Sequence, residues 1–199
     1  MITALGRLGV DVGEGGFPHL VAGASQAVHW SPDVEQALSQ TGTAGECALV
    51  ALLRGAGLTV THVSEISDAY GYDIAAVLAT GEGMHLEVKS TTDPSRLVVH
   101  LTRHEFEVMA SDAEWLMAAV LVGADMSALS IAEVSRQWLT SVAPRDQSAD
   151  GRWESVRLSV PPHALTPGLA ARSGYRALPG NVVAVHSAWG MKSPVAASV

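Results

Sequence analysis

Three side chains in this 199-residue chain carry the residue types of a metal-assisted hydrolytic site: Asp73, Glu87 and Lys89. From Met84 to Lys89 apolar and polar residues alternate, with Met84, Leu86 and Val88 on one side and His85, Glu87 and Lys89 on the other. A strand has a side-chain period of two, so this segment reads as a half-buried strand that presents a carboxylate and an ammonium on its polar face. Gly81-Glu82-Gly83 supplies a turn before it, and residues 74–79 form a second apolar run with Asp73 at its start. If the two runs pair as a hairpin, the start of one lies beside the end of the other, and Asp73 comes next to Glu87 and Lys89. Two acids gathered at one sheet end suit a hard divalent cation, since Mg²⁺ is held by one or two carboxylates and several waters. The Val88 carbonyl is a further candidate oxygen ligand. Mg²⁺ is therefore the expected cofactor, with Mn²⁺ able to substitute.

The wider pattern is Val63-Ser64, Gly71-Tyr72-Asp73-Ile74, Leu86-Glu87-Val88-Lys89-Ser90-Thr91 and Leu101-Thr102-Arg103-His104-Glu105. It resembles the PD-(D/E)XK nuclease superfamily, in the branch that includes the C-terminal domain of the plant NO VEIN protein and bacterial restriction and defence proteins. The resemblance spans roughly residues 42–122. The proline that names the superfamily is replaced by Tyr72, a departure common in this branch. The resemblance implies an α/β (α+β) fold, with a restriction-endonuclease-like αβββαβ core around a mixed central sheet. It also implies DNA as substrate and products that keep a 5′-phosphate. The catalytic set implied is Asp73, Glu87 and Lys89, joined by Glu46, because the acid of a Gly-Glu pair in the first core helix often faces the metal in this family. Thr43 and Glu46 also have the spacing of a helix-capping box, which gives Glu46 a second reading.

The elements that must position these residues follow from pattern. Ser31-Pro32-Asp33 opens a helix to about Ser39, and a second helix runs from Thr43 to about Gly55. Cys47, the sole cysteine, reads as a core residue of that helix. Residues 58–64 read as a strand, followed by a loop and the two site strands. Ser90 then begins a loop, residues 97–101 are extended, and Thr102-Arg103-His104-Glu105 is a capping box that opens a helix to about Ala110. Residues 114–122 are apolar on both faces, which marks a central strand. Residues 128–134 read as one more edge strand, 136–141 as a short helix, 153–160 and 181–188 as strands. The expected organisation is an N-terminal arm and helix (1–41), the nuclease-like core (42–122) and a β-rich annex packed on it (123–199). The glycine-rich start, Gly13-Glu14-Gly15-Gly16, lacks the Lys-Ser/Thr of a phosphate-cradling loop and reads as a turn.

Further candidates for substrate contact surround the trio. His85 shares the face of Glu87 and Lys89, where it either lines the cleft or is an ordinary polar-face residue. Ser90 follows Lys89, while Arg103 and His104 open a helix whose N-terminus favours phosphate. The other histidines show no ligand spacing. The tryptophans do not interleave with basic residues as base-stacking sites do, and read as core or interface anchors.

Composition bounds the rest. Hydrophobic residues make up 48% and charged residues 16%, so the chain is globular. One cysteine excludes an intramolecular disulfide and a cysteine-cluster zinc site. No segment reads as a signal peptide or membrane span, so the cytoplasm is expected. A net charge of −8 argues against unspecific coating of nucleic acid, and suggests that a homodimer mate or partner subunit helps hold DNA. Trp138, Trp153 and residues 182–185 are the candidate dimer surface. The expected function is a metal-dependent DNA endonuclease in restriction or phage defence. The alternative is a catalytically silent nucleic-acid- or protein-binding subunit of a defence complex.

Overall fold

The computed structural model describes residues 32–146, 151–169 and 188–191. The glycine-rich arm, the expected strand at 181–188 (but for its last residue) and the tail beyond 191 lie outside these described residues.

Helix α1 spans Pro32–Gly55 without interruption. The two helices expected on either side of Gly42 are therefore one, and the capping box at Thr43 does not form. Extending a helix through Thr41, Gly42 and Thr43 adds one hydrogen bond per residue, whereas stopping and nucleating a second helix fixes a whole turn for one bond. Thr41 Oγ1 even donates back to Ala37 O (2.9 Å) inside the helix. The second half of α1 buries Leu49, Val50 and Leu53 against the sheet, while Cys47 points to solvent and is not a core residue.

The strands are β1 (Thr59–His62), β2 (Ile74–Val77), β3 (Gly83–Thr91), β4 (Leu97–Thr102), β5 (Trp115–Val122), β6 (Ala128–Val134), β7 (Ser155–Val160) and β8 (Leu165–Pro167). Helices α2 (Arg103–Ser111) and α3 (Arg136–Val142) complete the described elements. Six strands form a mixed sheet in the order β1-β2-β3-β5-β6-β8, and β4 pairs with β7 in a separate ribbon. β1, β2 and β3 are antiparallel neighbours; β3 and β5 run parallel, as a connection through β4 and α2 allows.

These elements form the expected αβββαβ core, and β5 is its centre, buried along its whole length. Leu116, Ala118 and Val120 meet α1 on one face; Trp115, Met117 and Ala119 meet β4, β7 and the other helices on the opposite face. The C-terminal strands continue the same architecture: β6 and β8 extend the core sheet and β7 covers it through β4. Among the described residues no helix is long and apolar enough to cross a membrane.

Candidate active site

The β2–β3 hairpin forms in the expected register, with Ile74 opposite Leu86 and Val77 opposite Gly83. Asp73 stands one residue before β2. Its N–H donates to Leu86 O (2.9 Å), and its carbonyl accepts from Val63 N (2.7 Å) and Ser64 N (3.1 Å). Its side chain turns toward β3, where Oδ2 accepts a hydrogen bond from Val88 N (2.7 Å). β2 begins opposite Leu86, so past that point the edge of β3 is met by a side chain instead of a strand. In an extended strand a residue's N–H and C=O leave by the same edge. The Val88 carbonyl therefore faces the same gap as its N–H, beside Asp73.

Gly71 makes this approach possible. Its φ is +70°, and an added Cβ would lie 2.7 Å from Val108 Cγ2 of α2, closer than packed atoms come. Trp115 Nε1 on β5 donates to Gly71 O (3.0 Å), and His104 Nε2 donates to Ala69 O (3.0 Å). The loop that delivers Asp73 is thus fixed to both β5 and α2.

Glu87 and Lys89 leave β3 on the face opposite α1, as alternation requires. Glu87 is only 5% exposed. Lys89 Nζ donates to Glu87 Oε1 (2.6 Å) and to Glu105 Oε1 (3.0 Å). Glu105 does two jobs. Its other oxygen accepts from Thr102 N (2.8 Å), while Thr102 Oγ1 accepts from Glu105 N (3.2 Å), which closes the capping box of α2. The start of α2 thereby aims a second carboxylate at Lys89. Lys89 is consequently well covered, not a solvent-side residue of an open strand face.

Glu46, in the middle of α1, is held from two sides: His62 Nε2 lies 2.8 Å from its Oε2, and Ser64 Oγ donates to the same atom (2.7 Å). His62 Nδ1 lies 3.1 Å from Glu65 Oε1. Asp73, Glu87 and Glu105 thus share this end of the sheet with one ammonium, Lys89, and the proton affinities of these four groups record the imbalance. Burial lifts the Asp73 pKa to about 6; the Val88 N–H pulls it down, Glu46 and Glu105 push it up and Lys89 lowers it in part. Burial holds Glu87 well above the usual carboxylate range despite the attraction of Lys89, and Asp73 and Glu105 add to the rise. Burial alone would depress Lys89, yet the charges of Glu87 and Glu105 raise it above the ordinary lysine range. Glu105 goes the other way: burial opposes its charge, but Lys89 and the Thr102 N–H lower it below the usual value. Lys89 is an ammonium here, not a neutral base.

A cleft of about 270 Å³ opens over this group, with Asp73, Glu87, Glu105, Ser64, Thr102 and His104 among its walls. The remaining candidates fall elsewhere. His85 is on the face of Glu87, but it is bound to Asp112 Oδ2 (2.6 Å) and stacked on Tyr72 with ring centroids 4.3 Å apart. Ser90 belongs to β3, not to a loop, and lies on the face of Met84, Leu86 and Val88. It packs under α1 at Gly45, where an added Cβ would lie 1.9 Å from Ser90 Oγ, and so it is not a cleft residue. Arg103 is engaged by Glu107 (2.6 Å) and Asp146 (2.5 Å). His104 remains in the cleft wall.

Sequence reading missed Glu105 as a site residue because its capping role explained it fully. It missed His62 and Ser64 because β1 gave no spacing signal. The alternation of Thr59, Thr61 and Val63 against Val60, His62 and Ser64 does place the latter two on one side. Among the described residues no three His, Cys, Asp or Glu side chains converge as a complete cation cage.

Comparison with known proteins adds a family match over part of the chain and a structural neighbour. Residues 45–131 match the family described as Protein NO VEIN, C-terminal. A solved Holliday junction resolvase from Archaeoglobus fulgidus, an archaeal hyperthermophile, is similar at 19% identity and a TM-score of 0.40, over 59% of this chain and 83% of that one. No curated protein matches.

Proposed function

We propose that this chain, whose residues 45–131 match the family described as Protein NO VEIN, C-terminal, is a metal-dependent DNA endonuclease of the PD-(D/E)XK type which hydrolyses phosphodiester bonds. The observation that carries the reading is the meeting of Asp73 and Glu87 in one cleft, with Asp73 anchored to the Val88 N–H and Lys89 bonded to Glu87 behind it.

The donor set fits Mg²⁺ or Mn²⁺. Asp73 and Glu87 offer hard carboxylate oxygens, the Val88 carbonyl faces the same gap, and both acids are raised first by burial and then by neighbouring carboxylates, a penalty on the ionised forms that a dication would offset. These three residues would hold the ion, which when bound polarises the scissile phosphate and lowers the pKa of a water. The chain's own groups supply the rest. Lys89, kept protonated by Glu87 and Glu105, donates hydrogen bonds toward the phosphate and balances the charge that develops there. Glu105 holds Lys89 from a second side, beside Glu87. Glu46, fixed by His62 and Ser64, places one more acceptor near Asp73 for a water. His104, at the start of α2, lies where the strand on either side of the cleavage point would pass.

The wider role we assign is restriction or phage defence, as the resemblance implies. A homodimer mate or partner subunit would add basic surface to a chain with 12 Lys and Arg residues. Of the expected dimer surface, Trp138 packs partly on the core and Trp153 is held by Arg103 and Phe106, while residues 182–185 lie outside the described residues.

Calorimetric titration with Mn²⁺ at pH 8 tests the metal site. The wild-type protein is expected to bind, and Asp73→Asn to lose about tenfold or more in affinity. Equal binding by both would remove Asp73 from the site.

A further inference from the structure

Thr102 and His104 line two cavities. One is the catalytic cleft. The other, about 550 Å³, is bounded beyond them by Arg103 and Glu107 of α2 and by residues 152–154, just ahead of β7. The two cavities therefore adjoin at the first turn of α2. The second is a wide, open depression in the surface, and its residues 152–154 lie outside the segment that carries the family match.

Its distinctive group is Trp153. The Arg103 guanidinium lies over the indole, 5.9 Å from the ring centroid. Phe106 meets the ring edge-on, with centroids 5.6 Å apart. Arg103 is itself held by Glu107 and Asp146. Trp153 is thus a braced aromatic platform, half-buried, with exposed Arg152 beside it. Contrary to the sequence reading, this tryptophan does interleave with basic residues.

The charges of this cavity separate two kinds of ligand. Arg103 and Arg152 are balanced by Glu107 and Glu154 in the same walls. A bare phosphate gains little there, because the carboxylates repel it. A nucleobase gains from all the groups: a flat face for the indole and guanidinium, and amino hydrogens for a carboxylate. Stacking of this kind also suits a chain of net charge −8, since it does not depend on neutralising phosphates.

We propose that this cavity is a subsite for an unstacked nucleobase of single-stranded DNA, flanking the phosphate held in the catalytic cleft. The proposal rests on the nuclease reading for its position beside the cleft, while binding to Trp153 can be measured without cleavage. Fluorescence anisotropy of a fluorescein-labelled 12-nucleotide single strand, in EDTA, compares wild type, Trp153→Ala and Trp153→Phe, with the matching duplex as a second probe. Trp153→Ala should weaken single-strand binding roughly 5- to 150-fold, the range of one lost base stack. Trp153→Phe should retain most of it, and the duplex should respond less. Should Trp153→Ala fail to fold, Trp153→Phe and photo-cross-linking decide. A single strand bearing 5-iododeoxyuridine should cross-link to the wild-type peptide containing Trp153. Unchanged affinity in a folded Trp153→Ala protein, cross-links confined to other peptides, or no single-strand binding at all would overturn the subsite. Binding through Trp153 by a protein that never cleaves would refute the nuclease reading and leave the subsite standing.

Discussion

Asp73→Asn should make the metal-free protein more stable at alkaline pH. Asp73 has a pKa of about 6 in the folded protein, against 3.8 for an ordinary aspartate. A gap of two pKa units corresponds to roughly 3 kcal/mol. The folded state binds this proton more tightly than the unfolded chain, so stability declines as the pH rises from about 4 to about 6, and the whole penalty is present above that. Asparagine carries no charge and keeps an oxygen to accept from Val88 N–H. Its neutral acceptor is weaker than a carboxylate by about 1 kcal/mol. The expected net gain at pH 8 is therefore roughly 1–3 kcal/mol, or a Tm higher by about 2–10 °C for a chain of this length. At pH 5 about half of the charge penalty remains, and near pH 4 the variant should have no advantage. Thermal melts in EDTA buffers at these pH values read the effect directly. A variant less stable than wild type at pH 8, or a gain that does not change with pH, would refute the electrostatic account of the cleft.

Two further substitutions probe the packing around the site. Lys89→Met should cost roughly 3–5 kcal/mol in urea unfolding at pH 8, because it strands the buried Glu87 carboxylate; the loss should shrink at acid pH, where Glu87 takes up a proton, and adding Glu87→Gln should recover most of it. Gly45→Ala should cost roughly 1–3 kcal/mol by overpacking against Ser90, whose Oγ and Cβ would lie 1.9 and 2.8 Å from the new methyl. Ser90→Gly in the same chain should restore most of the lost Tm, and a cost unchanged by it would show that Ser90 is not the obstacle.

Where local pattern and tertiary packing agree, the fold was readable. Met84 to Lys89 alternates because β3 has α1 on one side and the cleft on the other. Residues 115–122 lack alternation because β5 is covered on both faces. The Thr102–Glu105 spacing announced the start of α2 correctly. The same spacing at Thr43 and Glu46 misled, because the cooperativity of α1 carried the helix through Gly42 and freed Glu46 to reach His62 and Ser64. Ser90 was misplaced only because the strand was ended at Lys89, two residues too soon; alternation continued to Ser90 puts it under α1. The partners that close the site come from separate elements, Glu105 from α2 and His62 from β1. No spacing within one segment reveals that they meet, and a side chain with a complete local explanation, as Glu105 has, conceals its second contact.

Cleavage by the purified wild-type protein is the most direct measurement of the central claim. Supercoiled plasmid and single-stranded DNA would be incubated with Mg²⁺, with Mn²⁺ and with EDTA, beside Asp73→Asn, Glu87→Gln and Lys89→Met proteins shown to be folded. The account predicts metal-dependent strand breaks with 5′-phosphate ends for the wild type and none for the three variants. Cleavage that survives Asp73→Asn and Glu87→Gln, or a folded wild-type protein that binds DNA and leaves it intact with either cation and with its partner subunit present, would contradict it.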